Sequence, residues 1–164
     1  MQDHYTTQRL LLDKLTINDD DFIFELVNTP EWIKFIGDRK VKNLSDANAY
    51  IRKIMESPAI NYWVVRNRDT KIPMGIITLI KREYLGHPDI GFAFLKRYAG
   101  QGYAFEAAKE VLLDISKDGH EKILATTVRT NTNSISLLEK LGLRFDREMQ
   151  WENEKLLVYS IKMV

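Results

Sequence analysis

Residues 94–104, with the sequence FLKRYAGQGYA, constrain the fold of this chain more than any other stretch. An apolar strand end leads into a turn containing Gly100 and Gly102, and the amphipathic run FEAAKEVLLDIS begins at Phe105. A glycine turn before a helix start directs unpaired backbone N–H groups, and the positive end of the helix dipole, toward one point. The stretch therefore predicts a strand, a turn and a helix that together form a phosphate-binding cradle.

The two commonest nucleotide-binding motifs do not describe this cradle. A Walker loop requires Gly-Lys followed by Ser or Thr, and the chain contains no such tripeptide. The dinucleotide fingerprint G-x-G-x-x-G/A requires a small residue where this chain has Phe105, and it normally lies in the first strand-helix unit of a domain. ATP bound through a Walker loop and a dinucleotide are therefore both disfavoured.

The cradle resembles the acetyl-CoA loop of the GNAT acyltransferases, whose pattern is Q/R-x-x-G-x-G/A. Residues 97–102 match the pattern literally, whereas residues 99–104 align better with the preceding strand and the following helix. In the second register Ala99 takes the place of the family's Gln or Arg. That departure is also common in the RimJ/RimL-like subgroup of ribosomal-protein N-terminal acetyltransferases, which the G-x-G-Y-A sequence resembles.

Two further segments extend the resemblance over nearly the whole chain, from about residue 6 to the end. Residues 131–143 match the family pattern N-x-x-S/A-x-x-L-L/Y-x-K-x-G-F/L at each defined position, including Asn131 and Ser134. Near the N-terminus, Thr7-x-Arg9-Leu10-x-Leu12 also resembles the RimJ/RimL-like subgroup. Taken without the resemblance, the glycines are compatible with a plain turn, and Asn131 and Ser134 with helix caps.

Composition limits the alternatives. Twenty-four basic and 23 acidic residues give a net charge of +1, which disfavours a nucleic-acid partner. The absence of cysteine excludes thiolate chemistry and disulfides, and three unpaired histidines give little support for a metal. No apolar run approaches a membrane span and no signal-peptide pattern opens the chain, so we expect a cytoplasmic protein without a membrane partner. The length predicts one domain, residues 1–164.

Hydrophobic periodicity predicts an α/β chain. Strands are expected at residues 9–15, 62–66, 74–81, 90–94, 123–128, 149–151 and 156–163, with hairpins at residues 67–71 and 152–155. Helices are expected from about residue 18 to 28, from Pro30, from Ser45 to Met55 and after the cradle, where the flanking strands should be parallel. The GNAT resemblance implies the same architecture: a mixed, mostly antiparallel sheet of six to seven strands with a parallel β-α-β acetyl-CoA unit and flanking helices.

The resemblance also implies how acetyl-CoA is bound. Backbone N–H groups of the loop would hold the pyrophosphate, and the strand end at Phe94, Leu95 and Lys96 would pair with the pantetheine arm. Asn131 and Ser134 belong to the second motif. The implied acetyl-CoA residues are Phe94, Leu95, Lys96, Ala99, Gly100, Gln101, Gly102, Tyr103, Ala104, Asn131 and Ser134.

Acyl transfer to an amine requires that the amine lose its proton. Asp89 is the candidate base because relatives often carry an acidic residue at the start of this strand, and Glu83, Tyr84 and His87 lie nearby in sequence. Many GNAT enzymes protonate the leaving thiolate with a tyrosine, but this chain has Leu138 at that position, with Tyr98 or Tyr103 as weak substitutes. Residues placed near the acceptor are Trp32, Phe35, Trp63 and Glu83.

The resulting hypothesis is an acetyl-CoA-dependent N-acetyltransferase, acting by direct attack of a primary amine in a ternary complex and requiring no metal. The acceptor is a protein N-terminal α-amine or, alternatively, a small amine such as a polyamine, an antibiotic or an amino-acid derivative. A non-catalytic CoA-binding or sensing domain and an interaction domain without a nucleotide are the alternatives from other classes. The chain is expected to be a monomer or a homodimer.

Overall fold

The computed structural model describes all 164 residues and contains one eight-stranded sheet with five helices around it. The strands are β1 His4–Thr6, β2 Leu10–Lys14, β3 Ile60–Asn67, β4 Pro73–Ile80, β5 Asp89–Phe94, β6 Lys122–Thr127, β7 Arg144–Trp151 and β8 Glu154–Lys162. The helices are α1 Asp20–Val27, α2 Pro30–Phe35, α3 Leu44–Glu56, α4 Tyr103–Ile115 and α5 Thr132–Lys140. The strand order is β1-β2-β3-β4-β5-β6-β8-β7.

The predicted mixed, mostly antiparallel sheet with flanking helices is confirmed, but its strand number was underestimated. The additional strand, β1, has three residues and is too short to show alternation in the sequence. It forms because residues 4–6 pair antiparallel with β2, and because the Trp63 indole N–H donates to the carbonyl of Gln2 at 3.0 Å. The local pairing with β2 and the long-range bond from Trp63 therefore define this edge of the sheet.

Side chains that accept hydrogen bonds from the backbone define several helix starts. Thr16 forms a capping box with Asp19, so that a short 3-10 turn precedes α1. Thr29 caps α2 with Pro30 at the first helical position, and Asn43 caps α3. Helices were expected in all three places, but α1 begins two residues later than the cluster of acidic residues indicated.

The C-terminal hairpin is longer than its sequence indicated. β7 and β8 pair from Arg144 and Ser160 to Trp151 and Glu154, which leaves only Glu152 and Asn153 in the turn. Most of β7 is exposed and lacks the alternating apolar pattern of a strand with one buried face, so its first half was not recognised. By contrast, the hairpin joining β3 and β4 around residues 67–71 agrees with its prediction.

Two hydrophobic cores lie on opposite faces of the sheet. One face is covered by α4 and α5, and its core includes Trp63, Ile90 and Val111. The other face is covered over β3 and β4 by α1, α2 and α3. Farther along that second face, a separate small cluster of Leu85, Leu124 and Val158 lies over β6 and β8. The second face is thus covered in two separate places, with β5 between them.

No helix of this chain is both long enough and apolar enough to cross a bilayer.

Candidate active site

The turn before α4 has the geometry of an anion-binding cradle. Gly100 and Gly102 have φ angles of +73° and +80°, in the left-handed region that glycine adopts without steric cost. None of the backbone N–H groups of residues 100–105 donates to an acceptor within the protein, and the first such bond in α4 runs from Glu106 to the Gly102 carbonyl at 3.0 Å. Six consecutive donors at the positive end of a 13-residue helix suit a diphosphate.

Arg9, the residue before β2, links the cradle to the N-terminal part of the chain. Its Nη1 donates to the Gln101 carbonyl at 3.0 Å, and its Nε donates to Glu106 Oε2 at 2.7 Å. Its guanidinium also lies 4.4 Å from the centroid of the Tyr103 ring. Sequence reasoning did not assign Arg9 to the site, although the Thr7-x-Arg9-Leu10 segment that contributed to the resemblance was a usable signal.

Glu106 is the acceptor that completes this connection. Its carboxylate accepts hydrogen bonds from the Thr7 hydroxyl at 2.6 Å and from the Arg9 backbone N–H at 2.9 Å, in addition to the Arg9 side chain. Partial burial raises the pKa of the Glu106 carboxyl, but the bonds from Thr7 and Arg9 outweigh burial and hold that pKa below its usual value. The ionised carboxylate therefore stabilises the loop at neutral pH.

A gap separates β5 from β6 beside the cradle. These two strands are parallel, as predicted, but they pair only where Asp89 faces Leu124. The Leu95 N–H donates to the Met74 carbonyl of β4 at 2.9 Å. Because backbone groups alternate in direction along a strand, those of Phe92 and Phe94 point away from β4 and into the gap. The far half of β5 thus presents a free strand edge that ends at the cradle.

The structure brings most of the predicted acetyl-CoA residues to these two features. Ala99 through Ala104 form the cradle, and Phe94 is the last residue of β5, the strand that precedes it. Leu95 differs from its predicted role, because it is 1% exposed and its N–H is bonded to Met74. Lys96 is exposed in the 3-10 turn between β5 and the cradle.

The second motif lies at the start of α5, on the far side of the gap. The Asn131 side chain accepts from the Ser134 N–H at 3.3 Å and so caps α5. This capping role uses the Asn131 oxygen, while the Ser134 hydroxyl stays partly exposed. Leu138, which replaces the tyrosine of other GNAT enzymes, is 1% exposed within the core.

Asp89, the candidate base, is buried, and both of its carboxylate oxygens accept hydrogen bonds. It is 4% exposed, its Oδ2 accepts from Arg82 Nε at 2.7 Å, and its Oδ1 accepts from the Thr126 backbone N–H at 3.2 Å. Burial raises the pKa of the Asp89 carboxyl, and the bonds from Arg82 and Thr126 oppose that rise. Because both oxygens already have donors, the arrangement does not favour proton abstraction from a substrate.

The aromatic residues that were predicted to lie near the amine acceptor do not form one site. Trp63 is fully buried on the α4 face, where its ring meets Tyr5 edge-to-face at 5.8 Å. Trp32 is 3% exposed within the core of α1 to α3. The placement of both tryptophans in a groove was wrong: their large aromatic side chains are buried in the cores, as such side chains most often are. Phe35 is half-buried at the end of α2, and Glu83 is exposed between β4 and β5.

A polar strip, composed of Tyr62, Thr78, Gly91 and Thr126, lies on the second face between its two covered regions. The Tyr62 hydroxyl lies 3.2 Å from the hydroxyl of Tyr50 on α3. A Cβ at position 91 would lie 2.6 Å from the Thr78 hydroxyl oxygen, so glycine keeps this part of the sheet surface open. No sequence motif identified the strip, because its members come from four strands and are brought together only when those strands assemble into the sheet.

Comparisons with known proteins agree with this geometry. The family model described as an acetyltransferase (GNAT) domain matches residues 9–144. An uncharacterized N-acetyltransferase of Bacillus subtilis strain 168, YnaD, is 31% identical over 144 residues, which span 86% of this chain and 82% of YnaD.

Solved structures show the same fold. The GNAT-family acetyltransferase from Bacillus anthracis has 26% identity and a TM-score of 0.81, with 98% of both chains covered. RimL, a ribosomal L7/L12 alpha-N-protein acetyltransferase solved with coenzyme A, has 11% identity and a TM-score of 0.83, with 97% of both chains covered. With the family model matching most of its length, the chain belongs to the GNAT family of acetyltransferases.

Proposed function

We propose that this protein transfers the acetyl group of acetyl-CoA to a primary amine by direct attack in a ternary complex. The observation that carries the proposal is the junction of the gap between β5 and β6 with six unpaired N–H groups at the start of α4. A diphosphate and an amide-containing arm need these two kinds of backbone contact next to each other.

The chain's own groups fit acetyl-CoA without a further cofactor. The N–H groups of residues 100–105 would hold the pyrophosphate, and the free edge at Phe92 and Phe94 would pair with the pantetheine amides. An N–H on this same edge can also stabilise negative charge that develops on the thioester oxygen.

The amine nitrogen attacks the thioester carbonyl carbon, the C–N bond forms, and the C–S bond breaks with the electron pair leaving on sulfur. Leu138 offers no proton to that sulfur, so the thiolate leaves unprotonated and takes its proton from water. The proton lost by the amine passes to water or to a group on the loop between β4 and β5, which contains Glu83, Tyr84 and His87. Asp89 is not assigned this task, because it is buried and both of its oxygens already accept hydrogen bonds.

We further propose that the acceptor is the α-amine of a peptide or protein N-terminus. An α-amine has a pKa of about 8 and a lysine amine about 10.4, so at neutral pH the reactive neutral fraction differs by on the order of a few hundredfold. A site whose buried carboxylate is already engaged favours the amine that loses its proton more easily. In this proposal the acceptor lies over the polar strip, where the hydroxyls of Tyr62 and Thr78 provide no acidic surface for a polyamine. RimL, which shares this fold, is an alpha-N-protein acetyltransferase.

The test is calorimetric titration with acetyl-CoA, with ATP and NADH as controls, followed by thiol release in an amine panel. The panel contains tetrapeptides with a free α-amine, Nα-acetyl-lysine and spermidine. We expect acetyl-CoA alone to bind and the tetrapeptides to release thiol fastest. No binding would refute the acyltransferase proposal. Turnover only with spermidine or lysine would refute the α-amine acceptor, and binding without any turnover would instead support a CoA-binding domain.

A further inference from the structure

The gap between β5 and β6 has a specific origin in the hydrogen bonds of Asp89. Where the strands still pair, the Leu124 N–H donates to the Pro88 carbonyl at 2.8 Å. In a regular parallel ladder the next donor on β6, the Thr126 N–H, would bond to the carbonyl of Ile90. Here it donates to the Asp89 side chain at 3.2 Å. A side-chain oxygen therefore replaces a main-chain carbonyl at the point where the strands separate.

Arg82 holds the carboxylate in this position. Its Nε donates to Asp89 Oδ2 at 2.7 Å, and the Thr126 hydroxyl lies 3.5 Å from the same oxygen. A carboxylate that is 4% exposed is tolerated only when its oxygens have donors, and these contacts supply them. Arg82 lies two residues beyond the end of β4, whose Ile80 pairs with Asp89. The acceptor that interrupts the ladder is thus anchored from both neighbouring strands.

We propose that Asp89 is a positioning residue that keeps β5 and β6 apart, and so keeps the backbone edge at Phe92 and Phe94 free for the acyl-CoA arm. This inference rests on the proposed function, because it assigns the ligand that occupies the gap. Asp89 acts through Thr126 and Arg82 and touches neither the amine nor the thioester. Without the carboxylate, the Thr126 N–H donates to the Ile90 carbonyl and the ladder between β5 and β6 extends. The backbone groups of Phe92 and Phe94 then pair with β6 and are no longer available to a ligand.

Three variants separate this role from that of a base. Asp89→Ala removes both oxygens. Asp89→Asn keeps one oxygen for the Thr126 N–H and lacks a carboxylate. Asp114→Asn is the matched control: Asp114 is another buried carboxylate, 9% exposed, that accepts from the Tyr5 hydroxyl at 2.8 Å at the far end of α4.

The first readout is amide hydrogen exchange at Phe92 and Phe94 in the ligand-free protein. Groups on a free edge exchange rapidly, and groups in an extended ladder are protected. We expect these amides to exchange rapidly in the wild type, Asp89→Asn and Asp114→Asn, and at least about tenfold more slowly in Asp89→Ala. Unchanged exchange in Asp89→Ala would overturn the proposal.

The second readout is the Kd for acetyl-CoA together with kcat and KM. We expect Asp89→Ala to weaken acetyl-CoA binding by at least about tenfold, the change expected when one or two ligand hydrogen bonds are lost. Asp89→Asn should restore the Kd and kcat to within about threefold of the wild type. If Asp89 were instead the general base, Asp89→Asn would bind acetyl-CoA with a normal Kd but would have a strongly reduced kcat. That result would overturn the positioning role.

The two proposals fail in different ways. If the wild type does not bind acetyl-CoA, the proposed function fails, while amide exchange in the ligand-free protein still decides whether Asp89 separates the strands. If Asp89→Ala does not fold, the kinetics of Asp89→Asn decide: retained kcat supports the positioning role, and lost kcat with normal binding refutes it.

Discussion

Replacing Gly102 by valine should separate the cradle's role in binding from its role in the fold. Gly102 has φ +80° and ψ 7°, and Gly119, in the turn before β6, has φ +77° and ψ 14°. A side chain in this left-handed region costs about 1–2 kcal/mol, with β-branched residues at the upper end. For a chain of this size, we therefore expect Gly102→Val and Gly119→Val each to lower Tm by roughly 4–8 °C.

Only Gly102→Val should also affect acetyl-CoA binding. A Cβ at Gly102 lies 3.5 Å from Arg9 Nη2, so the valine methyl groups displace the guanidinium that holds the Gln101 carbonyl, whereas a Cβ at Gly119 meets nothing within 4 Å. Once Arg9 no longer holds Gln101, the loop should lose at least one of its hydrogen bonds to the phosphate. Loss of one such charge-assisted bond costs about 1.5–3 kcal/mol, which corresponds to roughly a 10- to 100-fold rise in Kd. Thermal unfolding and calorimetry of both variants provide the test. Equal affinities for the two variants would refute the assignment of residues 100–105 as the phosphate site.

Four further substitutions test the surroundings of the site and the core. Glu106→Gln should lower the free energy of unfolding by about 1 kcal/mol at pH 7. Because the folded-state pKa of Glu106 lies below the ordinary value of 4.5, this difference from the wild type should shrink as the pH falls below that value; a constant difference in urea unfolding would contradict the pKa assignment. Arg9→Met should raise the Kd for acetyl-CoA by roughly tenfold with little change in Tm, and an unchanged Kd in calorimetry would remove Arg9 from the loop's support. Trp63→Ala should destabilise the protein by about 3–5 kcal/mol, as measured by urea unfolding. Tyr62→Phe should instead raise the KM for the acceptor and leave that for acetyl-CoA unchanged; an equal rise in both would exclude the polar strip from acceptor binding.

Features formed by neighbouring residues were predictable from the sequence. The strand, the glycine turn and α4 follow each other without interruption from Asp89 to Ile115, so local conformational preferences and hydrophobic periodicity defined them. The same holds for α5, a nine-residue helix that Asn131 caps, and for the hairpin at residues 67–71. The family resemblance rested on these local segments, and the family model and the solved relatives confirmed it.

Features that depend on partners far apart in the chain required the tertiary structure. Arg9 reaches Gln101 across 92 residues, and Asp89 reaches Thr126 across 37. Neither contact has a periodic signature, so the sequence did not assign Arg9 to the site and did not show the hydrogen bonds of Asp89, the candidate base. Trp63 was placed in a groove because sequence shows a large aromatic residue without showing which face of the sheet it occupies.

The sequence by itself therefore determined the cradle and most of the elements, because turn formation and helix capping depend on adjacent residues; it did not determine β1 or the first half of β7. The tertiary structure decided which carboxylates accept hydrogen bonds from other residues, which strand edge is open and which aromatic residues are buried. Those properties depend on which donors and side chains meet once distant strands pair, and strand pairing is a long-range outcome of packing.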